Sequence, residues 1–342
     1  MRQSEGQSVV DIALSGQLIV PSATAARAKA LDRLRLGDLL FRHLTRAAAF
    51  AVLLLLSGVI ISLIDGSIPA FKTFGLGFLV NARWNPVTEI FGALPAIYGT
   101  IITSFIAMLI AVPVGLMIAF FLTELCPQWL RRPIGIAIEL LAGIPSIIYG
   151  IWGLFVFAPE FQQSVQPWLI DLFGDIPILQ DIFGGPAYGI GIFTAAFILS
   201  IMILPFISAV TRDVFETVPT TLKEAAYAMG CTTWEVMWRV VLPFARTGVV
   251  GGAMLALGRA LGETMAVTFV IGNAHHIMPS LFSPGTTISA TIANEFTEAV
   301  GDLYLSSLIE MGLILFFITF VVLASAQLML RALERRAGGV SA

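Results

Sequence analysis

The stretch KEAAYAMGCTTWEVMWRVVLP, residues 223–243, lies between two segments that are hydrophobic enough to span a bilayer. It is itself polar and amphipathic, and the span that follows contains GRALGETMAV at residues 258–267. On a continuous helix, Arg259 and Glu263 would share one face because they are four residues apart. A charged loop between two spans, followed by a charge pair inside the next span, predicts a membrane transport protein. It would be powered from one side of the membrane and would carry a charged substrate.

The composition indicates an integral membrane protein. Of the 342 residues, 57% are hydrophobic and only 12% are charged, and the mean hydropathy is +0.91. Soluble domains carry about 25% charged residues, so an ordinary soluble protein is excluded. The two cysteines, Cys126 and Cys231, fall in segments that we expect in the cytoplasm, where a disulfide framework is not expected.

Six apolar segments approach the roughly 20 residues that a helix needs to cross a bilayer. They are residues 47–65, 96–123, 134–158, 187–210, 246–272 and 307–330. This division predicts a cytoplasmic N-terminal arm at 1–45, a transmembrane domain at 46–331 and a short cytoplasmic tail at 332–342. Because the first apolar run follows a long polar arm and can itself span the membrane, we expect no cleavable signal peptide.

The charge of the connections sets the predicted orientation. Nearly all lysine and arginine residues occur in alternate connections, namely the arm, the loop at 131–132, the loop at 211–245 and the tail. The loops between them, at 66–95, 159–186 and 273–306, contain only two such residues, Lys72 and Arg83. Positively charged loops stay in the cytoplasm, so both termini of this multi-pass chain are predicted to be cytoplasmic.

Two further segments leave alternatives open. The run LDRLRLGDLLFRHL at 31–44 has leucines at helical spacing between basic residues, which fits an amphipathic helix on the inner membrane surface or a solvated tail. The run AGIPSIIYG at 142–150 fits either a locally unwound helix along a polar path or a kinked packing element. The adjacent His275 and His276 are expected at the membrane interface, since neighbouring histidines point to opposite faces of a helix and make a poor metal site.

The loop at 223–243 has the pattern of two short helices. Apolar residues recur at helical spacing up to Met229, Gly230 breaks the helix, and Thr232 or Thr233 can cap a second helix that Pro243 is expected to end. Apolar residues on a cytoplasmic loop are typical of a docking surface for another protein.

The same loop resembles the EAA motif of ATP-binding-cassette importer permeases. The matching positions are Glu224, Ala225, Ala226, Gly230, Val240 where the family usually has Ile, Leu242 and Pro243. In that family the motif forms a coupling helix that sits in a groove of a cytoplasmic ATPase and passes its motion to the spans. The resemblance therefore implies that Glu224 is the polar contact, Gly230 the turn, and the two alanines a close-packing face.

A nucleotide site of the phosphate-loop kind is missing from the sequence. No lysine in the chain follows a glycine, so the ending Gly-Lys-Ser/Thr does not occur. If ATP drives the protein, the ATPase is a separate polypeptide that binds ATP and Mg²⁺. We therefore expect no cofactor, no metal ligand and no catalytic residue in this chain, which would be a transporter subunit and not an enzyme.

The charged fifth span has two interpretations. An arginine near the bilayer centre costs roughly 2.5–3.5 kcal/mol on insertion scales, so it normally faces protein or water. Arg259 can offer its guanidinium group to a passing oxyanion, with Glu263 holding it between visits. Alternatively, the two residues form a buried salt bridge that only locks the bundle. We favour the first interpretation and expect the glycines of this span to let a neighbouring helix approach closely.

Four segments resemble the permease subunits of phosphate-specific importers. They are residues 95–124, 132–155, 212–219 and 258–273, of which GRALGETMAV is the most discriminating part. The resemblance implies an all-α integral membrane protein of a bacterial inner membrane, with six transmembrane helices of the type I, MetI-like importer permease fold and a cytoplasmic coupling helix. It also implies that phosphate passes Arg259 and Glu263.

The resemblance implies several partners. They are a PstA-like permease that completes a heterodimer, two PstB-like ATPases, and a periplasmic PstS-like phosphate-binding protein that docks on the outer loops. Alternatives are a permease for another oxyanion such as molybdate or sulfate, or the PstA-like sister subunit itself. A secondary transporter or channel would not need the coupling loop, and a membrane enzyme acting on lipid phosphates would need a nucleophile or a metal cluster.

Overall fold

The computed structural model describes residues 20–174 and 176–338, with side-chain surroundings given for residues 37–332 except 175 and 178. The helices in this part of the chain are α1 (Val20–Phe74), α2 (Gly77–Val80), α3 (Leu94–Leu125), α4 (Gln128–Ala142), α5 (Ser146–Phe173), α6 (Pro177–Phe183), α7 (Ile192–Glu216), α8 (Thr220–Ala228), α9 (Thr233–Leu261), α10 (Met265–Val270), α11 (Ile288–Glu295) and α12 (Asp302–Gly338). The only β-type pairing among the described residues is an isolated bridge between Asn85 and Ile90. The all-α prediction is confirmed.

Five helices are long and apolar enough to cross a membrane, and the number is six when a bent pair of helices is counted as one span. The five lie within α1, α3, α7, α9 and α12, and the bent pair is α4 with α5, whose axes differ by 88°. This agrees with the six spans predicted from hydropathy. The bend falls at residues 143–145, in the run for which the sequence left an unwound or a kinked helix open, and it is a true break in the helix.

The chain forms two compact units, Met1–Ser62 and Leu63–Ala342. In the first unit, α1 begins at Val20 and is helical throughout the segment at 31–44, so this segment is part of the long helix that contains the first span. Residues 1–19 of the predicted arm lie outside the described residues, as do residues 339–342 of the predicted tail.

Helix α7 forms the centre of the second unit. Two thirds (67%) of its most apolar window is buried, the highest share among the candidate spans, and it packs against α3, α4 and α9. Gly248 and Gly252 of α9 make the close approach that small-residue spacing predicts. A Cβ added at Gly248 would lie 2.5 Å from Val214 Cγ1, and one at Gly252 would lie 2.8 Å from Val210 Cγ1.

The fifth span is interrupted, which corrects the prediction of a continuous helix over 246–272. Helix α9 ends at Leu261, Gly262 follows as its C-terminal cap, and α10 begins at Met265. Glycine has no side chain and loses much conformational freedom in a helix, which makes it a natural stopping point. Within the second unit α10 then packs against α5, so the two interrupted spans meet.

Candidate coupling surface and translocation site

The loop at 223–243 is built as two helices around a left-handed glycine. Gly230 follows α8 with φ +86°, a conformation that side-chain-bearing residues rarely adopt. The Thr232 hydroxyl then accepts a hydrogen bond from the Glu235 N–H at 3.3 Å, and the Glu235 carboxylate accepts one from the Thr232 N–H at 3.0 Å. This capping box starts α9. The predicted helix–turn–helix is therefore confirmed, with Thr232 as the cap.

Pro243 does not end the second helix, contrary to the prediction. Helix α9 continues through Leu242 and Pro243 to Leu261. The turn just before the proline, Met237–Val241, is π-helical. A proline inside an α-helix clashes with the carbonyl four residues earlier and donates no hydrogen bond, and a π turn changes this spacing. The Leu-Pro end of the motif therefore lies within one long helix that joins the loop to the fifth span.

The outer face of α8 carries the motif residues that can meet a partner. Glu224 and Ala225 are exposed, and Met229 is 80% exposed. Ala226, in contrast, is buried and packs with Val236 beneath the helix. The two alanines of the motif therefore do different things: Ala226 attaches α8 to the bundle, and Ala225 faces outward.

An ion pair ties α8 to the end of α3. Lys223 Nζ lies 2.6 Å from Glu124 Oε1, and the two side chains are only 17% and 12% exposed. Glu124 belongs to the π-helical last turn of α3, Phe121–Leu125. Sequence reasoning missed this pair, since the partners are 99 residues apart and nothing in their spacing joins them.

Arg259 is placed differently from the predicted charge pair. Its guanidinium carbon lies 4.6 Å from the ring centroid of Phe206 on α7, a cation–π arrangement. In the described part of the chain no guanidinium nitrogen of Arg259 comes within 4.0 Å of a Glu263 carboxylate oxygen. The pairing with Glu263 is therefore wrong for this structure, because the helix ends between the two residues.

Glu263 lies in the break between α9 and α10. Its Oε1 accepts a hydrogen bond from the Ala266 N–H at 3.4 Å, which helps to start α10. Its backbone carbonyl accepts a bond from the Ser289 hydroxyl at 2.6 Å, which attaches the break to α11. The break is thus held in place by hydrogen bonds. Arg259 is exposed on the surface of this chain, while Glu263 is half-buried.

A polar cluster joins the loops on the side opposite the coupling loop. Glu295 Oε1 lies 2.7 Å from His275 Nε2, and Glu295 Oε2 accepts hydrogen bonds from Trp84 Nε1 at 2.6 Å and from the Tyr304 hydroxyl at 2.7 Å. The Trp84 ring stacks on the His275 ring with centroids 5.4 Å apart. Burial raises the pKa of Glu295, but the hydrogen bonds from His275, Tyr304 and Trp84 outweigh it and hold that pKa below its usual value.

Two further carboxylates of the helical bundle have different surroundings. Glu139 Oε1 lies 2.8 Å from Arg212 NH1, so it pairs α4 with α7. Glu310 of α12 is buried, and its Oε2 has no hydrogen-bond partner within the described residues.

The chain is similar in sequence to known membrane transport proteins. The sequence profile of a family described as "Binding-protein-dependent transport system inner membrane component" matches residues 111–339. A relative from Mesorhizobium japonicum, named phosphate transport system permease protein PstC, is 65% identical over 94% of this chain and 98% of its own length. The protein of the same name from Pasteurella multocida is 60% identical over 88% of this chain and 94% of its own.

Two crystal structures of bacterial ABC transporters of alginate share the fold. One, in complex with an alginate-bound periplasmic protein, matches at TM-score 0.57 and 19% identity over 86% of this chain and 95% of the other. The second, involved in alginate import, matches at TM-score 0.53 and 18% identity over 86% and 98%. These likenesses confirm the importer permease fold. The profile match over 111–339 and the 65% identical relative establish that the chain belongs to the family of inner-membrane components of binding-protein-dependent transport systems.

Proposed function

We propose that this chain is the transmembrane permease subunit of an ATP-driven importer of inorganic phosphate and forms half of its translocation pathway. The observation that carries this function is the 65% identity to a phosphate transport permease over 94% of the chain. More distant relatives, such as one from Mycobacterium tuberculosis at 39% identity over 78% of this chain, also carry the phosphate permease name. Permeases for molybdate or sulfate, the sister subunit, secondary transporters and lipid enzymes are therefore less well supported.

The coupling loop provides the connection to an ATPase. Exposed Glu224 and Ala225 on α8 would contact a separate cytoplasmic subunit, which would bind ATP and Mg²⁺ and hydrolyse the nucleotide. The chain itself then needs no cofactor and no catalytic residue. The orientation that this requires has the coupling loop and both termini in the cytoplasm, as the charge of the loops favours.

Movement of the docked loop reaches Arg259 through continuous structure. Helix α9 runs unbroken from its cap at Thr232 to Leu261. At about 1.5 Å per residue, about 40 Å of helix therefore separates Thr232 from Arg259. The Lys223–Glu124 ion pair passes the same movement to α3. Closure of the ATPase would therefore shift α3 and α9 together and change the path between inward and outward access.

Arg259 has the surroundings of a residue in an anion path. It is exposed on this chain, although charged groups inside a membrane face protein or water. It is held over Phe206 by a cation–π contact, and it pairs with no carboxylate of the described residues, so its guanidinium donors remain available. A guanidinium group binds phosphate oxygens in a two-pronged geometry. Arg259, with Glu263 in the adjoining break, would line the path opposite the partner permease.

The assembly consistent with these features is a heterodimer with a PstA-like permease, two PstB-like ATPases and a periplasmic PstS-like phosphate-binding protein. The loaded binding protein would dock on the loops that carry the Glu295 cluster. ATP binding would open the path outward, phosphate would move past Arg259, and hydrolysis would restore the inward state.

Reconstitution of the complex in vesicles tests this function. Uptake of labelled phosphate should require ATP on the side of the coupling loop and the binding protein on the other side. Unlabelled phosphate should compete, whereas sulfate and molybdate in tenfold excess should not. Uptake of sulfate or molybdate in preference to phosphate, or uptake without ATP, would overturn the proposal.

A further inference from the structure

A groove between the start of α4 and the end of α7 is not used by the function described above. It is lined by Gln128, Arg131, Arg132, Gly135, Glu139 and Arg212, among others, and its volume is about 340 Å³. This lies within the roughly 300–1,000 Å³ that is typical of small-ligand sites. Three guanidinium groups on two helices line it, beside the carboxylates of Glu139 and Glu216.

Arg212 is fixed in the groove before any ligand arrives. Its NH1 lies 2.8 Å from Glu139 Oε1, and its NH2 lies 2.9 Å from Asp213 Oδ1. Gly135 leaves room for it, because a Cβ at this position would lie 2.9 Å from Arg212 NH1. The contact between α4 and α7 is therefore shaped around the guanidinium group.

Arg131 and Arg132 retain donors that the chain does not use. Arg131 NH2 donates to the Thr123 carbonyl at 2.6 Å, but its Nε is buried without a partner among the described residues. Arg132 is exposed, and in the described part of the chain no carboxylate oxygen lies within 4.0 Å of it. A buried donor without an acceptor costs free energy, which an added acceptor recovers.

Two arginines of the groove, Arg131 and Arg132, form no ion pair within the described residues. Glu139 is already paired with Arg212, so only Glu216 faces the two remaining arginines. On the neighbouring surface of α4, Trp129 is 76% exposed. Tryptophan prefers the membrane–water interface, and basic pockets between spans on the cytoplasmic side take the head groups of anionic lipids.

We propose that this groove binds a phosphoryl oxyanion on the cytoplasmic side of the membrane. The oxyanion is either the head group of an inner-leaflet phospholipid or inorganic phosphate that has left the path. Arg131 and Arg132 supply the donors, and Arg212, held by Glu139 and Asp213, forms a fixed wall of the groove. The side of the membrane follows from the orientation in the proposed function, on which the inference rests.

The test measures equilibrium binding to the purified complex, with Arg259→Gln as the common background so that the path site does not contribute. The variant is Arg132→Gln, because Arg132 is exposed and its loss leaves the packing unchanged. The matched control is Arg331→Gln, an exposed arginine of α12 that does not line the groove. One arm follows phosphatidylglycerol and phosphatidylcholine by native mass spectrometry, and the other follows labelled inorganic phosphate by equilibrium dialysis.

A lipid site predicts that phosphatidylglycerol binds the control about tenfold more tightly than Arg132→Gln, with phosphatidylcholine equal in both. An inorganic phosphate site predicts that labelled phosphate binds the control about tenfold more tightly than Arg132→Gln, and that neither lipid distinguishes the two complexes. Equal binding of both ligands to the two complexes overturns the inference. Gly135→Leu provides a second variant, since it fills the groove without removing charge and should weaken the same ligand. Because these measurements need no transport, failure of phosphate uptake would refute the proposed function separately.

Discussion

Lys223 at the start of the coupling loop and Glu124 at the end of α3 form an ion pair with an Nζ–Oε1 distance of 2.6 Å. Both side chains are less than one fifth exposed, at 17% and 12%. Partly buried pairs of this kind are costly to break, because the remaining charge stays in a poorly solvated position. The pair therefore ties α8 to α3, in addition to the apolar cluster that contains Ala226 of α8 and Phe120 of α3.

Reversal of either charge in this pair should uncouple ATP hydrolysis from transport. Lys223→Glu or Glu124→Lys leaves two like charges facing each other, and we expect phosphate uptake to fall at least about tenfold while ATP hydrolysis continues. The double variant, Lys223→Glu with Glu124→Lys, should recover most of the uptake. Arg239→Gln serves as a control in the same loop, because its contact with Glu235 is 3.8 Å long and exposed, and solvent-exposed ion pairs contribute little to stability. A double variant as defective as the single ones would show that the pair does not transmit movement.

Charge reversal at Glu224 should weaken docking of the ATPase and leave the permease folded. Glu224 is exposed on α8 and forms no ion pair within the described residues. Co-purification of the ATPase with Glu224→Lys should therefore drop several-fold, and uptake should drop with it, while the permease itself is recovered in normal amount. Arg331→Glu is the matched charge reversal away from the loop. Normal ATPase recovery and normal transport with Glu224→Lys would remove Glu224 from the docking surface.

Loss of Arg259 should abolish transport without loss of assembly. Because Arg259 is exposed, stacks on the Phe206 ring and forms no ion pair within the described residues, Arg259→Gln should not disturb packing. A hydrogen bond to a charged group is worth roughly 1.5–3 kcal/mol, so labelled-phosphate uptake should fall at least about tenfold, with partial retention in Arg259→Lys. Recovery of the partner subunits is measured in the same samples. Disassembly of the complex would mean that Arg259 serves packing, and normal uptake would place it outside the path.

The features that sequence analysis predicted well are local ones. The helix break at Gly230 and the helix cap at Thr232 depend on residues within a few positions of each other, so their spacing reveals them. The Lys223–Glu124 pair is formed by tertiary packing and leaves no such trace. Hydropathy, which is averaged over about 20 residues, detects the fifth span but cannot resolve its three-residue interruption at 262–264. The rule that proline ends a helix failed at Pro243 because a π turn precedes it.

The Glu295 cluster should make the stability of the complex depend on pH in the acid range. The folded pKa of Glu295 lies below its unfolded value of about 4.3. The carboxylate therefore contributes stability that is fully present above about pH 4.3 and is lost as the pH falls through the folded pKa. We expect the Tm of the wild-type complex to exceed that of Glu295→Gln at pH 6, with the difference vanishing once the pH has fallen below the folded pKa of Glu295. A constant difference across this range would mean that the ionised form of Glu295 is not favoured by folding.

The contact between the two interrupted spans should tolerate no side chain at Gly150. A Cβ there would lie 2.9 Å from Phe269 Cδ2 and 3.1 Å from the Cα of Ala266, which is a backbone atom that cannot rotate away. Gly150→Ala must therefore push α10 from α5, and overpacking of this kind costs roughly 1–3 kcal/mol. Gly251→Ala is the matched control, since a Cβ at Gly251 meets nothing within 4 Å and alanine favours a helix by about 1 kcal/mol. Thermal unfolding of the two purified complexes should show a lower Tm for Gly150→Ala and an equal or higher Tm for Gly251→Ala. Because α10 follows directly on the break that holds Glu263, Gly150→Ala should also slow phosphate uptake, whereas an unchanged Tm and rate would show that the two spans can separate without cost.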